Sequence, residues 1–341
     1  MAHPQPIAKL QAPARMVKDQ QYDEVSVVEI SPHAILPQTT GGFSVMLRHQ
    51  DRLLLYCRRG EQFTPAHRDR LAAMGIHRLY IHAHEKKFYE EYLHRNLPKM
   101  LDDDGIPVDD RALLWGQSAA GLVKDIYQER LSRSLAGKRF ARVEHMVQSS
   151  TDFIRNPDAL KNIASYVSRG YSEYHHSLGV MVLALSLAQT YEHFDDETLT
   201  GLGLGAIFHD IGKIRLPQFI FAKKPSERTP QEMAMACSHP TLGVVVAGSL
   251  PLHQLTIQCI LFHHEMENGQ GYPSGICGAD IPLPVKILSL CNVYENLTRA
   301  TAEGPAKTPF EALSWLKERR DRFDVDVIRR LIMVLSKADL A

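Results

Sequence analysis

An adjacent histidine and aspartate, His209 and Asp210, form the strongest local signal for chemistry in this sequence. An apolar segment that begins at Leu202 delivers the pair just before Gly212, a residue that can end a helix. Imidazole and carboxylate together can hold one divalent cation while leaving coordination positions for water. Lys213 lies three residues after Asp210, so it could place a positive charge near a phosphate oxygen. The alternative is a solvated helix end that carries the pair by chance.

A second cluster contains His263 and His264, followed by Glu265, and it again ends an apolar segment, 257–262. Two glycines shape the loop that comes next, 269–273. Paired histidines at a helix end could each ligate a metal, or one could ligate while its neighbour points at a substrate. The alternative is a capped helix followed by a turn.

Two further histidines stand at predicted helix starts. His176 opens the amphipathic segment 177–189, and His239 precedes Pro240, a residue favoured in a first helical turn. Either histidine alone is more often a cap or a surface residue than a ligand. We count them as candidate ligands only together with the two clusters above.

The elements that must position these residues differ between the two halves of the chain. Apolar residues recur at spacings of three and four in 180–187 and 285–297, which predicts a helical bundle with terminal helices at 310–316 and 325–335. The N-terminal half carries mixed signals. We predict strands at 43–47, 53–57 and 78–82 and helices at 64–74, 85–97 and 111–135.

These signals predict a mainly α protein with a smaller N-terminal α+β domain. We expect an irregular arm over residues 1–40, a regulatory α+β domain with a connecting helix over 41–140, and a helical domain over 141–341, with the boundary near 135–150.

Composition limits the classes of partner. The 341 residues include 39 basic and 39 acidic side chains, so no global field favours nucleic acid or an anionic membrane. The five cysteines are scattered and never spaced as CxxC, which argues against a disulfide scaffold and fits a reducing cytoplasm. We find no signal peptide and no membrane-spanning apolar run, and therefore expect a cytoplasmic protein.

The order of the motifs resembles the HD-GYP class of cyclic di-GMP phosphodiesterases over about residues 165–320. Five blocks carry the resemblance: His176-Ser177 with Val180, the string HDIGKIRLP from His209, Lys224-Pro225 with Thr229 and Glu232, His239-Pro240 with Gly243, and HHEMENGQGYP from His263. The first 140 residues lie outside it and resemble the variable N-terminal domains of that class.

The resemblance implies a helical HD-type domain that binds two divalent metals, with iron expected and manganese as the other candidate. It implies a metal-bridged hydroxide that hydrolyses cyclic di-GMP to linear pGpG, to GMP, or to both, and such a hydroxide is a nucleophile at neutral pH. The implied metal ligands are His176, His209, Asp210, His239, His263, His264 and Asn292. Asp210 and Lys213 are the implied catalytic residues, and Lys213, Gly271, Tyr272 and Pro273 are implied to contact substrate.

The chain departs from the class at its last metal ligand. That ligand is an aspartate in a segment of type DxYDALT, and Asn292 takes its place. An amide oxygen can coordinate but brings no negative charge, so a cluster of dications would be held more weakly. Glu295 replaces a second aspartate of that segment and could compensate. Three-metal members carry a further glutamate where Ser172 stands beside Glu173, so we expect two metals.

The phosphate clamp of the class, a basic run of type RPYR, is also missing, because residues 300–304 contain no basic side chain. Arg299 and Lys307 are the nearby cations, and we assign them to substrate binding. Three functions stay open: an active phosphodiesterase, a non-catalytic module that binds cyclic di-GMP or a signalling protein, and hydrolysis of another phosphoester. A homodimer and protein partners such as diguanylate cyclases also stay open.

Overall fold

The computed structural model of the chain describes residues 26–50, 52–128, 133–168, 173–301 and 304–340. Within these ranges the protein is mainly α, as predicted. The helices are α1 (Pro65–Ala73), α2 (Lys86–Asp102), α3 (Val108–Gln128), α4 (Arg133–Phe153), α5 (Pro157–Ser168), α6 (Glu173–Ala188), α7 (Asp196–Phe208), α8 (Pro230–Cys237), α9 (His239–Ala247), α10 (Gln254–Phe262), α11 (Leu283–Leu297), α12 (Pro309–Glu318) and α13 (Val325–Lys337).

A small antiparallel sheet lies in the N-terminal part, in the order β1-β6-β3-β4, beside a two-stranded β2-β5 ladder. The strands are β1 (Val27–Ile30), β2 (Thr39–Thr40), β3 (Val45–His49), β4 (Arg52–Cys57), β5 (Gln62–Phe63) and β6 (Leu79–His82). Buried Phe43, Leu79 and Ile81 belong to the core beneath the sheet. This part therefore has its own apolar cluster, as an α+β unit requires.

The predicted irregular arm is wrong for residues 27–30 and 39–40, which form β1 and β2. β1 pairs antiparallel with β6, Val27 opposite His82, and β2 pairs with β5. Four residues are too few for a clear alternation of apolar and polar side chains. The prolines on either side of the segment also favoured the prediction of irregular structure. Residues 1–25 of the arm lie outside the described residues.

The predicted helix over 111–135 corresponds to two helices, α3 and α4, which pack against each other. The buried Trp115 of α3 ties them together, since its indole N–H donates to the Ser150 hydroxyl of α4 at 2.6 Å. Apolar side chains of α3 and α4 belong to the same core as those of α6 and α7. The expected boundary near 135–150 falls inside α4, and the division into domains stays a prediction.

The α6–α7 hairpin forms the centre of that larger core. Nearly every side chain from His176 to Ala188 and from Leu199 to Phe208 is buried, as expected of helices that are apolar all round. A Cβ on Gly205 would lie 2.4 Å from the Cβ of Cys259, so the glycine allows α7 and α10 to pack closely. None of the helices in the described ranges has the length and apolar character needed to cross a membrane.

Candidate metal centre

Four helix ends bring the predicted ligands together. His176 lies in the first turn of α6, His209 and Asp210 follow the last residue of α7, His239 begins α9, and His263 follows the last residue of α10. All five side chains are buried. The sequence placed each of them at a helix end, and the antiparallel packing of the helices makes those ends meet.

The carboxylate of Asp210 lies between two pairs of histidines. Its Oδ2 is 3.2 Å from Nε2 of His209 and 3.7 Å from Nε2 of His176. Its Oδ1 is 3.1 Å from Nε2 of His239 and 3.8 Å from Nε2 of His263. Each oxygen of one carboxylate therefore faces a separate imidazole pair, which is the arrangement a bridging ligand between two cations requires.

Backbone carbonyls fix which ring nitrogen faces Asp210. The Nδ1 atoms of His209, His239 and His263 each lie near the carbonyl oxygen three residues earlier, at 2.8, 2.7 and 2.9 Å. A carbonyl can only accept, so Nδ1 carries the proton and Nε2 presents a lone pair. This hydrogen bond is the usual way in which a protein orients a metal-binding imidazole.

The Nε2 atoms of the histidines face one another in pairs. Nε2 of His176 lies 3.3 Å from Nε2 of His209, and Nε2 of His239 lies 3.1 Å from Nε2 of His263. Among the described residues, no group donates a hydrogen bond to the buried Oδ1 of Asp210. Electron-rich atoms gathered in a buried site are stable only around positive charge. The residues present therefore fit a pair of cations.

The charge states of these side chains suit cation binding. Burial alone would raise the pKa of Asp210, but the neighbouring Lys213 ammonium is the largest opposing cause and helps to hold the pKa well below its usual range. Burial and the neighbouring histidines hold the pKa values of His263 and His264 well below theirs. The aspartate is thus ionised and the two histidines are neutral, as ligands must be.

His264 joins the second group of candidate ligands. Ligand atoms of Asp210, His239, His263 and His264 all lie within 4.8 Å of one another, as do those of His176, His209 and Asp210. The ring of Tyr272 stacks on His264 with centroids 4.6 Å apart. Burial raises the pKa of the Tyr272 phenol, which stays protonated and able to donate a hydrogen bond. The loop 271–273, predicted to contact substrate, therefore adjoins the metal centre.

Glu265 holds this loop, a role that sequence reasoning missed. The side chain is buried, and its Oε1 accepts hydrogen bonds from the backbone N–H groups of Ser274 at 2.7 Å and Gly275 at 3.1 Å. A Cβ on Gly271 would lie 2.4 Å from the Cα of Glu265, so the loop can approach only as glycine. The signal in the sequence was the acidic residue directly after the paired histidines.

Lys213 lies where a cationic group could meet substrate. Its Nζ is 2.6 Å from Oδ2 of Asp210 and 3.4 Å from Oε2 of Glu173. Burial would lower the pKa of the ammonium, but the two carboxylates outweigh it and raise the pKa. The lysine therefore carries a full positive charge beside the shared carboxylate.

Glu295 contacts Nδ1 of His176, the ring nitrogen on the other side from Asp210, and is not itself among the candidate ligands. Its Oε2 accepts a hydrogen bond from Nδ1 of His176, and its Oε1 lies 3.7 Å from Nη1 of Arg299. Burial alone would lower the pKa of His176, but the Glu295 carboxylate outweighs it and raises the pKa. The structure thus places Glu295 behind a candidate ligand, where it orients the imidazole.

Asn292 is buried one helical turn before Glu295 on α11, and its Oδ1 accepts a hydrogen bond from Nδ2 of Asn296 at 2.9 Å. Its assignment as a ligand stays a prediction. So does substrate binding by Arg299, which the structure holds beside Glu295, and by Lys307, whose side chain is exposed. The backbone N–H of Lys307 donates to the carbonyl of Leu297 at 2.8 Å, which fixes the chain at the end of α11.

Gly212→Ala is expected to lower the amount of bound metal. A Cβ at Gly212 would lie 2.0 Å from the carbonyl oxygen of His239 and 2.5 Å from the backbone nitrogen of Gly243, so α9 must move and take His239 with it. Metal analysis by mass spectrometry of the purified variant measures the loss. Gly137→Ala is the matched control, because its Cβ meets no atom within 4 Å. Equal metal content in the two variants would contradict the prediction.

Asn292→Asp is expected to tighten metal binding, because it adds a negative charge at the position that the sequence predicts to be a metal ligand. We expect a gain of about tenfold, comparable to the effect of a partner that supports a ligand. Competition with a chromogenic chelator measures the affinity. Gln254→Glu, an exposed residue at the start of α10, is the control for a negative charge added elsewhere. An unchanged affinity in Asn292→Asp would mean that residue 292 does not contact the metals.

Comparisons with known proteins agree with this geometry. Residues 131–327 match the family model described as HD domain. The chain is 27% identical to a cyclic di-GMP phosphodiesterase of Pseudomonas aeruginosa, over 66% of this chain and 54% of that protein. It is 33% identical to the cyclic di-GMP phosphodiesterase response regulator RpfG of Xanthomonas campestris, over 40% of this chain and 37% of that protein. The matched part thus spans about half the length of the first relative and less of the second.

A solved structure has the same fold. It is an HDG"Y"P protein from Bdellovibrio bacteriovorus, which superposes with a TM-score of 0.61 and 23% identity, covering 91% of this chain and 100% of that chain. The family match covers the helices that carry every histidine of the candidate centre. The chain belongs to the HD domain family.

Proposed function

We propose that this chain is a metal-dependent phosphodiesterase that hydrolyses cyclic di-GMP to linear pGpG, to GMP, or to both. The observation that carries the proposal is the sharing of the Asp210 carboxylate between two histidine pairs, each with lone pairs aimed inward. The family match and the named activity of the relatives support the reaction class.

His176 and His209 would hold one divalent cation, and His239, His263 and His264 the other, with Asp210 between them. Two bound cations supply charge that neutralises phosphoryl oxygens, and they lower the pKa of water. Iron is the proposed metal and manganese the other candidate, because imidazole-rich sites with carboxylate suit both.

The chain's own residues hold and orient the substrate in this proposal. Lys213 would place its ammonium on a non-bridging phosphate oxygen, close to where charge develops during attack. Tyr272 would offer its phenol and ring beside the phosphate, since it stacks on His264 at the edge of the centre. The buried and largely water-excluding position of Asp210 would strengthen both interactions.

A second function, a non-catalytic module that binds cyclic di-GMP or a signalling protein, is favoured by two observations. Asn292 brings no charge to the centre, and Arg299 is engaged by Glu295, so it is not placed to clamp a phosphate without rearrangement. Cytoplasmic location, a homodimer and protein partners such as diguanylate cyclases belong to the proposal for either function.

Turnover of cyclic di-GMP by the purified full chain tests the proposal. The chain is loaded with ferrous iron or manganese, and the products are separated by chromatography. We expect conversion of cyclic di-GMP to pGpG or GMP and slower hydrolysis of a generic phosphodiester. Lys213→Gln should slow turnover by about 10²-fold or more, as expected when one charge-stabilising group is lost, with metal content unchanged. Tight binding of cyclic di-GMP without any product would instead support the non-catalytic module.

A further inference from the structure

Tyr127, in the last turn of α3, bonds to both helices of the α6–α7 hairpin. Its phenol donates a hydrogen bond to the backbone carbonyl of Ile207 at 2.9 Å, and the phenolic oxygen lies 2.9 Å from the hydroxyl oxygen of Ser177. A phenol has one proton, which it gives to the carbonyl, so the Ser177 hydroxyl donates to the phenolic oxygen. One side chain of α3 therefore links α6 to α7.

The two partners of this phenol adjoin candidate ligands. Ser177 directly follows His176 near the start of α6, and Ile207 lies two residues before His209 at the end of α7. Both histidines belong, with Asp210, to one of the two groups whose ligand atoms lie within 4.8 Å of one another. We call these three residues the first ligand group. The phenol thus contacts both helix ends that present it.

The carbonyls at the end of α7 need hydrogen-bond donors from outside the helix. In the last turn of an α-helix the carbonyl oxygens have no intrahelical partner. Nδ1 of His209 donates to the carbonyl of Ala206 at 2.8 Å, and Tyr127 donates to the next carbonyl, that of Ile207. The backbone that leads into the first ligand group is therefore held at two successive carbonyls, one by a candidate ligand and one by Tyr127.

This contact is shielded from solvent. Ser177 and Ile207 are fully buried, and the Tyr127 ring packs against the larger apolar core. Without the phenolic oxygen, the Ile207 carbonyl would lose its donor and the Ser177 hydroxyl its acceptor. Buried polar groups without partners are costly, so we expect both helix ends to shift until the groups are paired again.

The helix that carries Tyr127 also belongs to the N-terminal part of the chain. Leu114 of α3 is part of the apolar cluster beneath the sheet, and it precedes Tyr127 by roughly 20 Å along the helix axis. Tyr127 lies before residues 131–327, which match the HD domain model. The side chain that links the two helix ends therefore comes from outside the matched domain.

We propose that Tyr127 is a positioning residue for the metal held by the first ligand group. It is not among the candidate ligands, and it acts through the backbone of α6 and α7 by fixing His176 and His209 relative to each other. The proposal rests on the proposed metal centre, and it adds that a residue of α3 completes that centre.

Metal competition with the full chain carrying Tyr127→Phe tests the proposal. This substitution keeps the ring and removes the oxygen. The purified chain is loaded with ferrous iron without oxygen, and a chromogenic chelator then withdraws the metals stepwise. We expect one metal to be held about tenfold more weakly, as when a residue that supports a ligand is lost, and the other to be held as in the wild type.

Tyr191→Phe is the matched control. Tyr191 lies in the turn after α6, at the far end of that helix from His176, and its hydroxyl donates to a carboxylate oxygen of Asp326 at 3.1 Å. Its substitution removes a hydrogen bond of the same kind away from the metals. Tyr191→Phe should therefore leave both affinities unchanged, whatever it does to the melting temperature.

Two ligand variants identify the metal that Tyr127 affects. His264→Ala removes a ligand of the second group, so its tightest metal reports on the first group, and His176→Ala does the reverse. Adding Tyr127→Phe should weaken that metal about tenfold in His264→Ala. It should change nothing in His176→Ala, because effects that act through the same contact are not additive.

Wild-type affinity for both metals in Tyr127→Phe would overturn this proposal and leave the proposed function in place. Equal weakening of both metals would also overturn it, because the phenol would then only stabilise the fold. A wild-type chain that binds no metal would overturn the proposed function and this inference together. Should Tyr127→Phe fail to fold, Ser177→Ala removes the other hydrogen bond of the phenol, and unchanged metal binding in that variant would overturn the proposal.

Discussion

Asp210→Asn is expected to lose bound metal and phosphodiesterase activity together. The substitution keeps the size and shape of the side chain but removes the charge that both histidine pairs share. Loss of a partner that merely supports a ligand costs about 10- to 100-fold in metal affinity, so loss of the shared ligand should cost more. Metal content and cyclic di-GMP turnover of the same preparation measure both effects.

The control for Asp210→Asn is Asp196→Asn, an exposed aspartate in the first turn of α7. It should leave metal content and turnover unchanged. Circular dichroism and the melting temperature separate loss of metal from loss of the fold, since Asp210 also pairs with Lys213 at 2.6 Å. Wild-type metal content and activity in folded Asp210→Asn would place the active centre elsewhere.

Glu295→Ala is expected to weaken metal binding by about 10- to 100-fold although Glu295 is not among the candidate ligands. The carboxylate fixes the proton of His176 on Nδ1, so its removal frees the imidazole to rotate or to change tautomer. Glu295→Gln keeps an oxygen that can accept the same hydrogen bond and should retain most of the affinity. The affinity is measured by competition with a chelator.

Two further results bear on Glu295. Glu318→Ala, an exposed acidic residue on α12, should bind metal as the wild type does. If Glu295→Ala kept wild-type affinity, the carboxylate would serve only to pair with Arg299. If Glu295→Gln lost as much as Glu295→Ala, the negative charge and not the hydrogen bond would be what matters.

The sequence pointed to the candidate ligands because each sits in a local motif at a helix end. His209 and Asp210 follow the apolar α7, and His263 follows the apolar α10, so a short window contains both the helix and the group it delivers. The helical class of the C-terminal part followed from the same periodicity. Spacing along the chain could not tell which histidines face which oxygen of Asp210, since that depends on how helices pack.

The parts that sequence reasoning missed depend on contacts between distant segments. Glu295 lies 119 residues after His176, so its role behind that imidazole has no local signature. Glu265 accepts hydrogen bonds from backbone N–H groups of the loop that follows it, and the residue types in the motif do not predict this contact. β1 is stabilised as a strand by its pairing with β6 and not by its own short pattern.

Metal stoichiometry tests the central claim most directly. The full chain, purified and loaded with ferrous iron without oxygen and then freed of excess ion, is analysed for metal per chain by mass spectrometry. The sharing of Asp210 by two histidine groups predicts two divalent metals per chain, with both lost in Asp210→Asn. No retained metal after loading with iron or manganese would contradict the account, as would metal that Asp210→Asn binds equally well.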